Sequence, residues 1–151
     1  MKTILVPLDF SDLYPKVVDV AGQLARELDA SLYLLQVVEP VTSYVPVGAA
    51  MDVIVVPPPA PVAADLAEEK KTLEAVAAPL RADGLNVQTE VILGLPVDEI
   101  LVRAKTLPAD FIVLGSHGHG ALYHLFTGSV VTGVLKQAEI PVIVVPARRA
   151  A

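Results

Sequence analysis

The first apolar run of the chain, Thr3–Leu8 (TILVPL), is not broken by alternating polar residues, so it predicts a short strand buried on both faces. Val17, Ala21, Leu24 and Leu28 then recur at spacings of four, three and four, the pattern of one apolar helix face. Ser11 stands where an N-cap for that helix would stand. Pro15 falls in its first turn, where a missing N–H costs little. Ser31–Val38 (SLYLLQVV) predicts a second strand. Ala63–Ala82 is helical in composition, with charges at Asp65, Glu68, Glu69, Lys70 and Lys71 and Gly84 as a stop just beyond. Val87–Leu93 (VQTEVIL) predicts a third strand. GLPVDEI then opens a helix with Pro96 near its first position, where proline is favoured. Phe111–Leu114 predicts a fourth strand, Thr127–Ala138 a helix, and Val142–Val145 a fifth strand.

Strands without alternation, separated by helices, imply an α/β fold: an open parallel sheet covered on both faces, within one domain spanning 1–151. Ligands of such sheets bind beyond the carboxyl ends of the strands, where connections switch direction. Two such ends carry candidate chemistry, PLDFS after the first strand and the long loop after the fourth.

The segment from Glu39 to Val62 breaks the pattern. It holds six of the thirteen prolines, including PPPAP at Pro57–Pro61, and is read as a long irregular connection with polyproline character. Long loops in compact domains are usually functional or mobile. The apolar groups of MDVIVVPPPAPV need cover, which makes this loop an expected lid over the ligand or contact for a protein partner.

Composition narrows the partners. The chain is 54% hydrophobic and 19% charged, with a net charge of -6. An acidic protein of this kind is a poor binder of nucleic acid or of an anionic membrane, which select basic patches. There is no cysteine, which removes disulfides, thiolate metal sites and cysteine nucleophiles. The N-terminal apolar run is broken by Pro7 and ended by Asp9, too short for a signal peptide. No stretch approaches the ~20 apolar residues of a membrane span. A cytoplasmic protein is the expectation.

The loop GSHGHGALYHLFTGS, Gly115–Ser129, holds four glycines and three histidines. Glycine lets backbone N–H groups approach an anion with no Cβ in the way, and the helix after Gly128-Ser129 offers unpaired N–H groups. The alternative is an ordinary connection in which Ser129 caps that helix. The loop is not a P-loop, for it lacks G-x-x-x-x-G-K-[ST] and contains no lysine. Nor is it a full G-x-G-x-x-G. His117 and His119 with His124 form a conceivable metal set, but donation from His117 or His119 to a phosphate is favoured, and no metal is expected. G-x-S-x-G is absent, and no Ser-His-Asp arrangement is evident.

Gly115, Gly118, Gly128 and Ser129 fit G-x2-G-x9-G-[ST], and in this the loop resembles the nucleotide-binding signature of the universal stress proteins. ILVPLDFS, LLQVVEP, GLPVDEI and PVIVVP are similar to that family's first strand, second strand, third-helix opening and closing strand. The resemblance covers essentially the whole chain. It implies a Rossmann-like sheet of the adenine nucleotide alpha hydrolase type, with strand order 3-2-1-4-5, and an adenine nucleotide as ligand: ATP, AMP or ADP, with or without Mg. By that pattern Pro7, Leu8 and Asp9 line the adenosine side, and Val37 meets the base through its backbone. Gly115, His117, Gly118 and His119 approach ribose and phosphate, and Gly128, Ser129, Val130 and Val131 hold the phosphates. Two positions depart from it. Leu8 stands where several ATP-binding relatives carry a small polar residue, and His119 where the family is often basic.

A regulatory nucleotide-binding protein of the stress response is the leading expectation, as a homodimer through Val142–Val145, which ends the sheet in the family order. The rivals are a nucleotide-independent interaction module and a slow ATPase or phosphotransferase. No lysine clamp, arginine finger or general base is evident beside the loop, which argues against efficient turnover and assigns no catalytic residue.

Overall fold

The computed structural model describes residues 1–40, 43–47, 52–56, 66–116 and 130–147, the segments 43–47 and 52–56 by their backbone alone. Along the chain it forms β1 (Lys2–Pro7), α1 (Tyr14–Leu28), β2 (Ala30–Val38), β3 (Ser43–Val47), β4 (Asp52–Val56), α2 (Ala67–Ala82), β5 (Val87–Leu93), α3 (Pro96–Thr106), β6 (Phe111–Gly115), α4 (Val130–Gln137) and β7 (Val142–Val145). Five strands make one parallel sheet in the order β5-β2-β1-β6-β7. Numbered along the chain within this sheet, that is the expected 3-2-1-4-5.

The unbroken apolar run of β1 has the anticipated cause. Ile4, Leu5 and Val6 are all fully buried, because each face of the central strand meets helices. Ile4, Val6 and Leu8 join Val17 and Ala21 of α1 and Leu73 and Ala77 of α2 in one core. Leu5 points the other way, into a second core with Ile100 and Ala104 of α3 and Val131 and Val134 of α4. The third and fourth helices approach closely because α4 carries a glycine at the contact. A Cβ on Gly133 would stand 2.6 Å from Val97 Cγ2.

Two sequence expectations are corrected. The segment Glu39–Val62 is not wholly irregular: β3 and β4 pair antiparallel within it, from Ser43 opposite Val56 to Val47 opposite Asp52. Pro46 sits opposite Val53 in this two-stranded sheet, a place open to proline because each strand has one unpaired edge. Ser11 does not cap α1 with its side chain. The helix begins at Tyr14, its cap residue is Leu13, and Ser11 contributes its carbonyl, which accepts from Tyr14 N–H at 3.0 Å. The buried stripe of α1 is Val17, Val18, Ala21, Gly22 and Ala25, with Leu24 and Leu28 on its half-buried flank.

A half-buried polar cluster ties the β5 edge to the sheet and to α3. Arg103 donates to both carboxylate oxygens of Glu90, at 2.5 and 2.7 Å, and Tyr33 Oη donates to the same carboxylate at 2.8 Å. Among the described residues no helix is long and apolar enough to cross a membrane.

Candidate functional site

The crevice of this sheet begins with a proline. Alternate residues of a strand turn their backbone groups to opposite neighbours. In β1, Leu8 N–H donates to Leu35 O of β2 at 2.8 Å, while Thr3 O accepts from Asp110 N–H at 2.8 Å on the β6 side. Pro7, an even number of residues from Thr3, therefore turns toward β6, where it has no N–H to give. The register agrees. The first strand pairs with β2 all the way from Lys2 to Pro7, but with β6 only at Ile4 and Leu5. Beyond that point β6 keeps to its outer neighbour, with Gly115 opposite Val145 and Ser116 N–H donating to Val145 O at 2.9 Å. Past Leu5 and Ile112 the carboxyl ends of these two adjacent strands thus run on with no further pairing between them. This happens at the switch point, since β1 leads to α1 on one face and β6 leads to α4 on the other.

The β1 side of the crevice is a tightly determined turn. Leu8 is buried with its side chain in the α1/α2 core, and its N–H is turned to β2. Asp9 is exposed, and its Oδ1 accepts from Ser11 N–H at 3.0 Å. Between them Phe10 adopts φ 54°, a left-handed conformation that costs a residue other than glycine on the order of 1–3 kcal/mol. Its ring lies against Tyr14, the first residue of α1, with centroids 5.1 Å apart.

On the β6 side, Gly115 lies under α1. A Cβ there would stand 2.8 Å from Leu13 Cδ2 and 3.3 Å from Val17 Cγ2, so any larger residue at this position makes the Leu13 side chain shift. Val37, near the end of β2, is half-buried, with its side chain against the α3/α4 core and Ile92 as its register partner. Val130 opens α4 and is 36% exposed, while Val131 is buried. The first turn of α4 carries no acidic residue. His117, Gly118, His119, Gly128 and Ser129 lie outside the described residues, as does His124. Among the described residues no cluster of His, Asp or Glu is suited to a metal ion.

The structure therefore brings Pro7, Leu8, Asp9, Gly115 and the start of α4 to one end of the sheet, with Val37 beside them at the end of β2. A family model described as the universal stress protein family matches residues 1–146. The chain belongs to the universal stress protein family. Universal stress protein MJ0531 of Methanocaldococcus jannaschii is 32% identical over 148 residues, covering 95% of this chain and 81% of that protein. A universal stress protein solved in complex with cAMP superposes with a TM-score of 0.71 at 23% identity, covering 97% of this chain and 98% of its own. Another from Archaeoglobus fulgidus, solved in complex with dAMP, superposes with a TM-score of 0.66 at 24% identity, covering 95% of this chain and 97% of its own. These two structures share the fold of this universal stress protein.

Three residues of the crevice escaped the sequence pattern: Phe10, Leu13 and Ser116. Leu13 had a signal, since it extends the helical apolar stripe one step back from Val17. Phe10 had none, because an aromatic residue gives no hint of a left-handed backbone. Ser116 Oγ accepts from Ala147 N–H at 3.2 Å, a contact between segments 31 residues apart.

Proposed function

We propose that this universal stress protein binds an adenine nucleotide, ATP, ADP or AMP, in the crevice between β1 and β6 and serves as a nucleotide-dependent regulator in the stress response. The observation that carries the reading is the end of the β1–β6 pairing at Leu5 and Ile112, which leaves the carboxyl ends of two neighbouring strands without a ladder between them at the switch point of the sheet. Two structures of the same fold were solved with cAMP and with dAMP, and both ligands are adenine nucleotides.

The roles follow from the chemistry of each position. Pro7, the Leu8 backbone and the Asp9 carboxylate flank the adenosine, with Asp9 accepting from ribose hydroxyls. The backbone of Val37 meets the base edge. Gly115, His117, Gly118 and His119 approach ribose and phosphate. Gly128 and Ser129 with the N–H groups of Val130 and Val131 receive the phosphates, where unpaired helix N–H groups and the positive end of the dipole favour an anion. Mg arriving with ATP would be held by phosphate oxygens and water, because the described residues offer it no carboxylate cluster. With no lysine in the loop, turnover is slow or absent, and the bound state is itself the signal. The outer edge of β7 pairs two copies into a homodimer, and the segment Glu39–Val62, with its hairpin, meets a protein partner.

Mass spectrometry of ligand released from freshly purified, denatured protein tests the reading. Adenine nucleotide in near-stoichiometric amount is expected. A protein that releases none, and that binds none of ATP, ADP or AMP by calorimetry, contradicts it.

A further inference from the structure

We infer that Phe10 is a positioning residue for the ligand, holding the Asp9 carboxylate at the crevice through its own left-handed backbone. The inference rests on the adenine-nucleotide reading and names a device within it. Asp9 is the exposed residue of a turn whose other members are fixed. Leu8 is buried and its N–H is bonded to Leu35 O. Ser11 is buried, donates its N–H to Asp9 Oδ1 and accepts from Tyr14 N–H. Chain direction must reverse between these anchors, and the reversal falls on Phe10 at φ 54°. Glycine would adopt this conformation freely, whereas the chain places a bulky aromatic there.

What offsets the strain is the ring. It packs on Tyr14 and against the α1/α2 core, so the turn is fastened to the first residue of the helix. Strained backbone persists only where its surroundings over-determine it, and such residues cluster at ligand sites. The effect is to fix a short carboxylate-bearing turn at the carboxyl end of β1 instead of leaving it free to swing. A glycine at residue 10 would allow the same φ but many others besides, so the carboxylate would be less well held before the ligand arrives.

A double-mutant cycle read by calorimetry with ATP tests this. Both Phe10→Gly and Phe10→Val remove the ring, but only valine resists a positive φ. Phe10→Val should weaken ATP about ten-fold. Phe10→Gly should weaken it about three-fold, through lost pre-organisation alone. In an Asp9→Ala background the same changes at residue 10 should alter affinity by less than about two-fold, because the group they position is gone. Equal losses for Gly and Val, or losses that persist undiminished without Asp9, would overturn the inference and leave nucleotide binding standing. Wild-type protein that binds no adenine nucleotide would overturn both. Should Phe10→Val fail to melt cooperatively, Phe10→Ala, which disfavours the left-handed region more gently, takes its place in the cycle with the same ordering relative to glycine.

Discussion

Gly115 and Leu13 are so close that a methyl group on the glycine would stand 2.8 Å from Leu13 Cδ2. The first glycine of the loop motif therefore serves the packing of α1 on β6, whatever it also does for a ligand. Gly115→Ala should destabilise the fold by about 1–3 kcal/mol, the usual cost of overpacking. Thermal melting checks this, and Leu13→Ala in the same chain should recover part of the loss by making room. A fully stable Gly115→Ala protein would show that Leu13 and Val17 yield freely.

Leu5 and Ile112 are the last pair of the β1–β6 ladder, and Pro7, the next residue of β1 to face β6, has no N–H to extend it. Pro7→Ala supplies an N–H on the β6 side, so the strands should pair one step further and the crevice should narrow. The gain of one hydrogen bond, about 0.5–1.5 kcal/mol, is opposed by about 0.4–1 kcal/mol from the lost rigidity of proline in the unfolded chain. Stability should hardly move, while ATP affinity falls by about ten-fold, a loss of about 1.4 kcal/mol. Hydrogen exchange at residue 7 reports the new bond directly, and a fast-exchanging amide there would contradict the account.

The Tyr33–Glu90–Arg103 cluster sets a pH dependence with two limits. The guanidinium of Arg103, chiefly through its hydrogen bonds, holds the Glu90 carboxyl below its ordinary value. That contribution is present above the ordinary carboxyl range and is lost as pH falls through the lowered value. Burial, with the Glu90 carboxylate beside it, pushes the Tyr33 phenol from 10.0 up to about 12. Its contribution is complete below pH 10 and lost as pH rises toward about 12. Melting temperature should therefore fall from pH 9 to pH 11.5, and Tyr33→Phe should flatten that fall. An unchanged alkaline slope in Tyr33→Phe would place its cause elsewhere.

Assembly is tested at the sheet edge. Among the described residues β7 pairs only with β6, so the outward backbone groups of this strand, those of Val142 and Val144, form a row with no strand partner there. Pairing two copies across a two-fold axis closes it. Pro141 and Val145 turn their carbonyls to Ile112 and Ser116 on the β6 side, so Val142 and Val144 face outward. Val144→Pro removes a donor from the edge and should convert dimers to monomers in sedimentation. Wild-type protein that sediments as a monomer at high micromolar concentration contradicts the proposed dimer.

The elements of the sheet were legible because each strand is a run of apolar β-formers and each helix a periodic stripe. Lys2–Pro7 against the expected Thr3–Leu8, and Val87–Leu93 as expected, illustrate how closely patterning located them. The hairpin at Ser43–Val56 was hidden by Pro40, Pro46 and Pro57–Pro61, which outweighed the β-branched Val45, Val47 and DVIVV. Proline on an edge strand is compatible with pairing, and local composition does not say which edge is free. At the crevice, residue identities located Pro7, Asp9 and Gly115 without revealing why two of them are there. The role of Pro7 depends on which neighbour its backbone faces, and that of Gly115 on a helix packed over it. Both are tertiary relations that no local pattern encodes.

The most direct test of the central claim is a two-dimensional amide NMR titration of the wild-type protein with ATP. The account predicts that the largest shifts fall on Leu8, Asp9, Phe10, Val37, Gly115, Ser116, Val130 and Val131, with β5 and the far ends of the helices unmoved. Absence of shifts, or shifts centred at the amino ends of the strands around Lys2, Ala30 and Phe111, would contradict it.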